Sequence, residues 1–389
     1  MKKFGTCILI CFFSLSLFAQ KDEVKVGAES PSLYFPLLKD KRIAVFTNHT
    51  GLVGDKHLID YLIENKFNIR MILAPEHGFR GTADAGEKVN DEMDEKTGIP
   101  VYSLYKSNTG KPGKDIMDNI DLILFDMQDV GLRFYTYYIS MYHLMDVCAQ
   151  YGKPMIVLDR PNPNGFYIDG PILDMKYKSG VGYLPIPVVH GMTLGELALM
   201  INGEKWLPNG NQCKLHVIPC ENYTHQTKYH LPVSPSPNLP NMKSIYLYPS
   251  TCLFEGTQVS LGRGTSFPFQ VYGHPDLKSY YAFSFTPQSV PGAKNPPLLN
   301  QTCYGVDLRS LSDESIFSAG INLNYVIDAY RKFSKKDKFF TSFFEKLIGV
   351  DYVRKMIREE KSNEEIRTMW TKDVESFREK RKPYLLYRE

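Results

Sequence analysis

The sequence contains no internal repeat and no low-complexity tract, and its formal charge over 389 residues is only +3. Two of those positives, Lys2 and Lys3, lie in a segment expected to be removed, which leaves the rest near +1. A chain so close to neutral lacks the electrostatic footprint of a nucleic-acid or anionic-membrane binder, so a small or oligosaccharide-sized partner is expected and nucleic acid is not. No C-x-x-C pair occurs, which removes zinc-ribbon and thioredoxin-like readings. Neither H-E-x-x-H nor G-x-S-x-G is present, so the zincin and α/β-hydrolase classes lose their markers. Gly110-Lys-Pro-Gly-Lys-Asp115 lacks the full spacing and the Ser or Thr of a P-loop. Trp is nearly absent at two residues, but 25 Tyr and 23 Phe are enough for sugar stacking or simply for a core.

Long apolar runs are missing beyond the N-terminus. There, Lys2-Lys3 precede an apolar run from Cys7 to Phe18, followed by Ala19-Gln20, which is the order of a secretory signal peptide over residues 1–20. The run is shorter than the roughly 20 residues a transmembrane helix needs, so export without membrane insertion is expected, to the periplasm or beyond. Five cysteines follow: Cys148, Cys213, Cys220, Cys252 and Cys303. An odd number leaves at least one free thiol, and a Cys213–Cys220 disulfide stands against buried thiols as the two readings.

With 43% hydrophobic and 23% charged residues the chain has globular composition, and its length predicts two domains. Four short Ile-, Val- and Leu-rich runs precede residue 160: Ile43–Thr47, Ile69–Ala74, Leu122–Phe125 and Met155–Leu158. They do not alternate, which is how strands buried on both faces read. Helical patterns lie between them: a segment carrying Leu58, Ile59, Leu62 and Ile63 with Asp55 as its cap, then Tyr138–Ala149. Thr193 caps a further helix over Leu194–Ile201, with Glu196 at the third position. Strand and helix in alternation predict an open parallel α/β sheet. Prolines at 232, 235, 237 and 240 make the following stretch a linker or binding loop. Beyond it short strand-like pieces give way to a charged helical tail with Ile366, Met369, Trp370, Val374 and Phe377 at helical spacing. A boundary near residue 241 divides a catalytic domain (21–241) from a smaller α+β domain (242–389).

Each predicted strand is followed by a polar cluster: Thr47-Asn48-His49-Thr50-Gly51; Pro75-Glu76-His77-Gly78; Asp126-Met127-Gln128-Asp129, with Arg133, Tyr135 and Tyr137; and Asp159-Arg160-Pro161-Asn162. In an open parallel sheet all these ends face one edge, where ligands bind. Glu76 reads as a general acid or as a turn cap, and Asp126 as its partner or as a strand-end carboxylate paired with Arg133. Asp129 reads as a second carboxylate or as a helix or tyrosine partner. His49 and His77 read as site or loop residues, and His190 as lining the crevice or ending a strand. A Glu and an Asp in one cleft meet the needs of glycoside hydrolysis, in which one carboxyl protonates the leaving oxygen and another supports the opposite face. A metal hydrolase built from His49, His77, Asp126 and Asp159, and a sugar receptor without catalysis, are the alternatives. In the second half, Glu255 and the Gly262-Arg263-Gly264 turn, with Ser236-Pro-Asn238, are placed to close the crevice.

Taken together, Thr47-Asn-His-Thr-Gly51, Ala74-Pro-Glu-His-Gly-Phe-Arg-Gly81, Phe125-Asp-Met-Gln-Asp-Val-Gly131, Leu158-Asp-Arg-Pro-Asn-Pro163, Val189-His-Gly-Met-Thr193, Ser236-Pro-Asn-Leu-Pro240, Cys252-Leu-Phe-Glu-Gly-Thr257 and Tyr384-Leu-Leu-Tyr387 resemble the exo-β-N-acetylmuramidase family (DUF1343). The likeness runs from about residue 40 to the end, and Met127 stands where Ile or Val is usual. It implies an exported bacterial enzyme that removes non-reducing-end N-acetylmuramic acid from peptidoglycan fragments, without a cofactor or metal. It also implies a Rossmann-like catalytic domain with an auxiliary domain, and Glu76 as the catalytic glutamate. Muramic acid carries a lactyl carboxylate, for which Arg133, Arg160 and Arg263 are the candidate partners, and Tyr135 and Tyr137 are candidate platforms for its ring. Asn48, Gln128, Asp159, Asn162, His190, Asn238 and Glu255 complete the expected substrate contacts.

Overall fold

A computed structural model describes residues 23–75, 79, 92–104 and 110–389. The chain lays down β1 (Arg42–Thr47), a hairpin of β2 (Leu52–Val53) and β3 (Lys56–His57), then β4 (Asn68–Ala74), β5 (Glu92–Met93), β6 (Pro100–Ser103), β7 (Leu122–Asp126), β8 (Pro154–Leu158) and β9 (Lys214–Ile218). Six of these form a parallel sheet in the order β6-β4-β1-β7-β8-β9, with β5 antiparallel on its edge. Counted in order of appearance that is 3-2-1-4-5-6, the doubly wound Rossmann arrangement. The order reverses between β1 and β7, which pair from Ile43↔Leu122 to Thr47↔Asp126. A crevice opens at such a reversal, beyond the carboxyl ends of the strands.

The absence of alternation in the strand sequences has a direct cause. Ala44, Phe46, Ile123, Phe125, Met155 and Val157 enter a core on one face of the sheet. Ile43, Val45, Leu122, Leu124, Ile156 and Leu158 enter a second core on the other. Both faces are covered, so every position is apolar. Phe46 and Phe125 stack across neighbouring strands at 5.1 Å, which adds about 0.5–1.5 kcal/mol to their burial. The helix Tyr137–Tyr151 covers the first face and ends at Gly152 in the left-handed conformation. The helix Leu194–Gly203 starts on the expected capping box: Thr193 Oγ1 accepts from the Glu196 amide (3.2 Å), and Glu196 accepts from the Thr193 amide (2.9 Å).

The first core continues without a break into the second half, from Ala44 through Phe254 and Phe344 to Phe377. This second domain holds β10 (Val271–His274), β11 (Ser284–Phe285) and β12 (Cys303–Asp307) in an antiparallel sheet, surrounded by short helices from Met242–Thr251 to Thr371–Arg381. Among the described residues no helix is long and apolar enough to cross a membrane.

Three local expectations need correction. The helix over Leu58–Glu64 is capped by His57, whose Nδ1 accepts from the Ile59 amide, and Asp55 lies in the β2–β3 turn. The tail is two helices, Asn363–Thr368 and Thr371–Arg381, and Met369 between them is 52% exposed rather than packed. Cys148, Cys213, Cys220, Cys252 and Cys303 are all buried free thiols, so the Cys213–Cys220 bridge is not formed.

Candidate active site

The loops after β1, β7 and β8 form a floor in which nearly every polar atom is already engaged. After β1, Asn48 folds into a local turn: its Oδ1 accepts from the Thr50 amide (2.9 Å) and hydroxyl (2.6 Å), while its Nδ2 donates to Tyr137 Oη (3.0 Å). At the end of β7, Asp126 is fully buried and held by both edges of its carboxylate. Arg160 Nε donates to Oδ1 (2.6 Å) and Nη2 to Oδ2 (2.9 Å), and Nη2 also reaches the Leu52 carbonyl (2.8 Å). After β8, Asp159 receives Thr193 Oγ1 and Tyr387 Oη on Oδ2, each at 2.6 Å, and the Arg160 and Gly195 amides on Oδ1 at 3.0 and 2.8 Å. Burial raises its pKa to about 6 against the pull of those donors. Asp126 is paired with a guanidinium and Asp159 accepts four donors, and among the described residues no three His, Cys, Asp or Glu side chains converge as ligands.

Asp129 differs from both. Its Oδ1 accepts from the Gly131 amide (2.6 Å), but its buried Oδ2 has no partner among the described residues. Burial, opposed by the Gly131 and Val130 amides, pushes the carboxyl up to about 7. The turn that holds it depends on Gly131 at φ +78°, where a Cβ would stand 2.2 Å from Asn162 Oδ1. Gln128 fastens the same turn by donating to the Asp129 and Pro161 carbonyls, both at 2.8 Å.

Above this floor, between the two domains, lies a cavity of about 210 Å³. Its apolar wall is a chain of rings: Tyr135 against Tyr137 (4.8 Å), Tyr135 against Tyr248 (6.4 Å) and Tyr248 against Phe269 (4.6 Å). Tyr135 Oη donates to the Pro235 carbonyl (2.8 Å), and His49 Nε2 donates to that of Ser234 (2.8 Å), so the proline-rich loop is strapped over the crevice. Thr136 caps the Tyr137–Tyr151 helix without a side-chain bond, and it lines the cavity, so the positive end of that helix sits at the rim. The polar wall holds Asn238, Glu255 and Arg263. A buried aromatic face with a few convergent polar groups is how a sugar-sized ligand is gripped.

The family model described as exo-β-N-acetylmuramidase NamZ, N-terminal, matches residues 43–243, and its C-terminal counterpart matches residues 246–387. The chain belongs to the NamZ family. It is 38% identical to the peptidoglycan β-N-acetylmuramidase NamZ of Bacillus subtilis (strain 168), over 95% of this chain and 92% of that protein. A crystal structure of a DUF1343 family protein from Bacteroides fragilis is 62% identical, with a TM-score of 0.89, covering 95% of this chain and all of the other. A second DUF1343 protein of that organism is 29% identical with a TM-score of 0.77, over 94% and 99% of the two chains.

In this NamZ-family chain, the cavity gathers Tyr135, Tyr137, Asn238, Glu255 and Arg263 of the residues expected from sequence. Others are present but turned to structural work. Asp126 pairs with Arg160, not Arg133, and neither partner faces the cavity. Arg133 is fully buried and donates to the carbonyls of Pro171 and Ile186 (2.8 Å each), Leu347 (3.0 Å) and Ile348 (2.7 Å), so it staples the two domains instead of meeting a substrate. Asn162 is spent on the Asn164 amide and Met192 carbonyl. His190 is buried, accepts from the Met192 amide, and is lowered to about 3 by burial and by Arg381. Glu76 and His77 lie outside the described residues. Tyr248, Phe269 and Ser236 line the cavity and were not singled out as ligands. Phe269 has φ +63°, a strained backbone for an aromatic residue that no sequence pattern reveals.

Proposed function

We propose that this chain is an exported, exo-acting glycoside hydrolase that releases N-acetylmuramic acid from the non-reducing end of peptidoglycan fragments by carboxylate acid/base chemistry. The observation that carries the reading is the cavity between the domains, which joins an aromatic wall to a single arginine–carboxylate pair in a NamZ-family chain. The cavity of about 210 Å³ opens to solvent on one side and can admit the end of a glycan chain. The N-terminal order of Lys2-Lys3, apolar run and Ala19 supports export, and the break between the two family matches supports a domain division near residue 241.

Glu76 is the proposed general acid. In the sequence it follows β4, the strand that pairs with β1, by two residues. Asp129 is the proposed second carboxyl: raised to about 7, it exists in both protonation states near neutral pH and has an oxygen free to take or give a proton. It is not in the cavity lining, and it stands six residues before Tyr135, which is. Asp126 takes no part in the proton transfers; through Arg160 it fixes the β8 loop. The test is release of para-nitrophenol from a β-N-acetylmuraminide and from the matching N-acetylglucosaminide. Turnover of the first by the mature protein, and its loss in a folded Glu76→Gln variant, is the expected result. Tight binding of free N-acetylmuramic acid without turnover of either substrate would replace the hydrolase with a receptor.

A further inference from the structure

We infer that Arg263 reads the lactyl carboxylate that distinguishes N-acetylmuramic acid from N-acetylglucosamine, with Glu255 holding the guanidinium in place before the sugar arrives. The inference rests on the function proposed above and names the specificity determinant of that same site. Of the three arginines able to meet the carboxylate, Arg133 is spent on four backbone carbonyls and Arg160 on Asp126 and Leu52. Arg263 is the cation that faces the cavity among the described residues.

Its geometry leaves one edge open. Nε and Nη2 both converge on a single oxygen of Glu255, Oε1, at 2.8 and 2.6 Å. Nη1 has no partner among the described residues, so the Nη1/Nη2 edge of the fork is free for a second carboxylate. The pair also differs in exposure from the structural one: the side chains of Arg263 and Glu255 are 21% and 25% exposed, against 4% and 0% for Arg160 and Asp126. The mounting is rigid. The guanidinium carbon lies 5.0 Å from the centre of the Phe269 ring, and Phe269 carries the positive φ noted above. Gly264 has φ +80°, and a Cβ there would stand 2.5 Å from the Gln288 carbonyl, so the turn that presents Arg263 accepts only glycine at that position. A stacked, pre-oriented fork loses little entropy on binding and is suited to a planar carboxylate beside a sugar ring.

The experiment compares wild type, Arg263→Gln, Arg263→Lys and Glu255→Gln on the para-nitrophenyl muraminide and glucosaminide, with circular dichroism to confirm folding. Losing a charge-assisted bidentate contact should lower kcat/KM on the muraminide about ten- to hundredfold, chiefly through KM, and lower any glucosaminide turnover much less. The preference between the two sugars therefore collapses in Arg263→Gln and is partly kept in Arg263→Lys. If Arg263→Gln is unfolded, Arg263→Lys carries the test, since it keeps the charge and loses the fork. An Arg263 variant that folds and keeps the wild-type preference overturns the assignment alone. A wild type that cleaves neither sugar overturns the proposed activity as well.

Discussion

Asp126 decides between chemistry and architecture at the floor of the crevice, and Asp126→Asn separates the two. The substitution keeps an acceptor for Arg160 Nε but removes the charge and turns an amide donor toward Nη2. The charged guanidinium is then buried without a counter-charge, and Nη2 keeps only the Leu52 carbonyl. Breaking one side of a buried ion pair costs about 3–5 kcal/mol, because the surviving charge is left uncompensated. The apolar core is continuous across both domains, so a single unfolding transition is expected. With a urea m-value of about 3 kcal/mol per M, the midpoint should fall by about 1–1.7 M at unchanged slope. The double replacement Asp126→Leu with Arg160→Met removes both charges and should recover most of that loss. Below its transition, Asp126→Asn should bind the sugar with near-normal KM. A variant that unfolds within about 0.2 M of the wild-type midpoint while kcat drops a thousandfold would refute this reasoning and return Asp126 to the reaction.

Asp129 makes stability fall with pH. Its carboxyl is raised from 3.8 to about 7, so the folded chain holds a proton that the unfolded chain releases between those values. The stabilisation is complete below pH 4 and lost by pH 7, up to about 4 kcal/mol. Asn resembles the protonated carboxyl, so the stability of Asp129→Asn relative to wild type, measured by denaturant titration from pH 4 to 8, should rise across that window; a flat difference would exclude the raised value. His190, lowered to about 3, acts in the opposite direction but is common to both proteins and cancels. Tyr387→Phe removes the hydroxyl that donates to Asp159 and accepts from the Cys220 amide, and should cost about 1–3 kcal/mol, read as a lowered melting temperature with unchanged sugar preference. Gly131→Ala forces a Cβ against Asn162 Oδ1 in a left-handed conformation that itself costs about 1–2 kcal/mol; soluble protein of normal melting temperature would contradict the turn described here.

The central strands were legible because burial on both faces leaves a long apolar signature: β1, β4, β7 and β8 begin or end within a residue of the runs that announce them. The outer strands were not. β6 starts at Pro100, and β9 alternates Lys214, Leu215, His216 and Val217 because an edge strand keeps one face in water. Topology gathers the described clusters after β1, β7 and β8 at one edge of the sheet, but of their residues named from sequence only Tyr135 and Tyr137 line the cavity. Sequence could not say which polar residues were free, because hydrogen bonds spanning a hundred or more positions decide that. Arg133 and Arg263 look alike as text, but Arg133 is surrounded by carbonyls from residues 171 to 348 and Arg263 has an open edge. The capping box at Thr193 was readable for the opposite reason: all of its partners lie within three residues.

The division of labour between the domains follows from where polar groups are satisfied. The parallel sheet supplies a floor of buried, mutually bonded side chains, and such groups hold position only while every partner is present. The C-terminal residues are among those partners: Tyr387 on Asp159, the Leu386 and Tyr387 amides on Glu196, and the Leu347 and Ile348 carbonyls on Arg133. The second domain is thus part of the floor as well as the wall that carries Arg263. A catalytic half cut at residue 241 would strip two of four acceptors from Arg133 and a donor from Asp159, leaving a buried cation and a carboxylate short of partners. It should therefore fail to fold as a stable unit, and the second half added in trans should restore activity only if the two reassemble around that core. A truncated protein with a cooperative melting transition and turnover of the muraminide would show that the crevice is complete without its second domain.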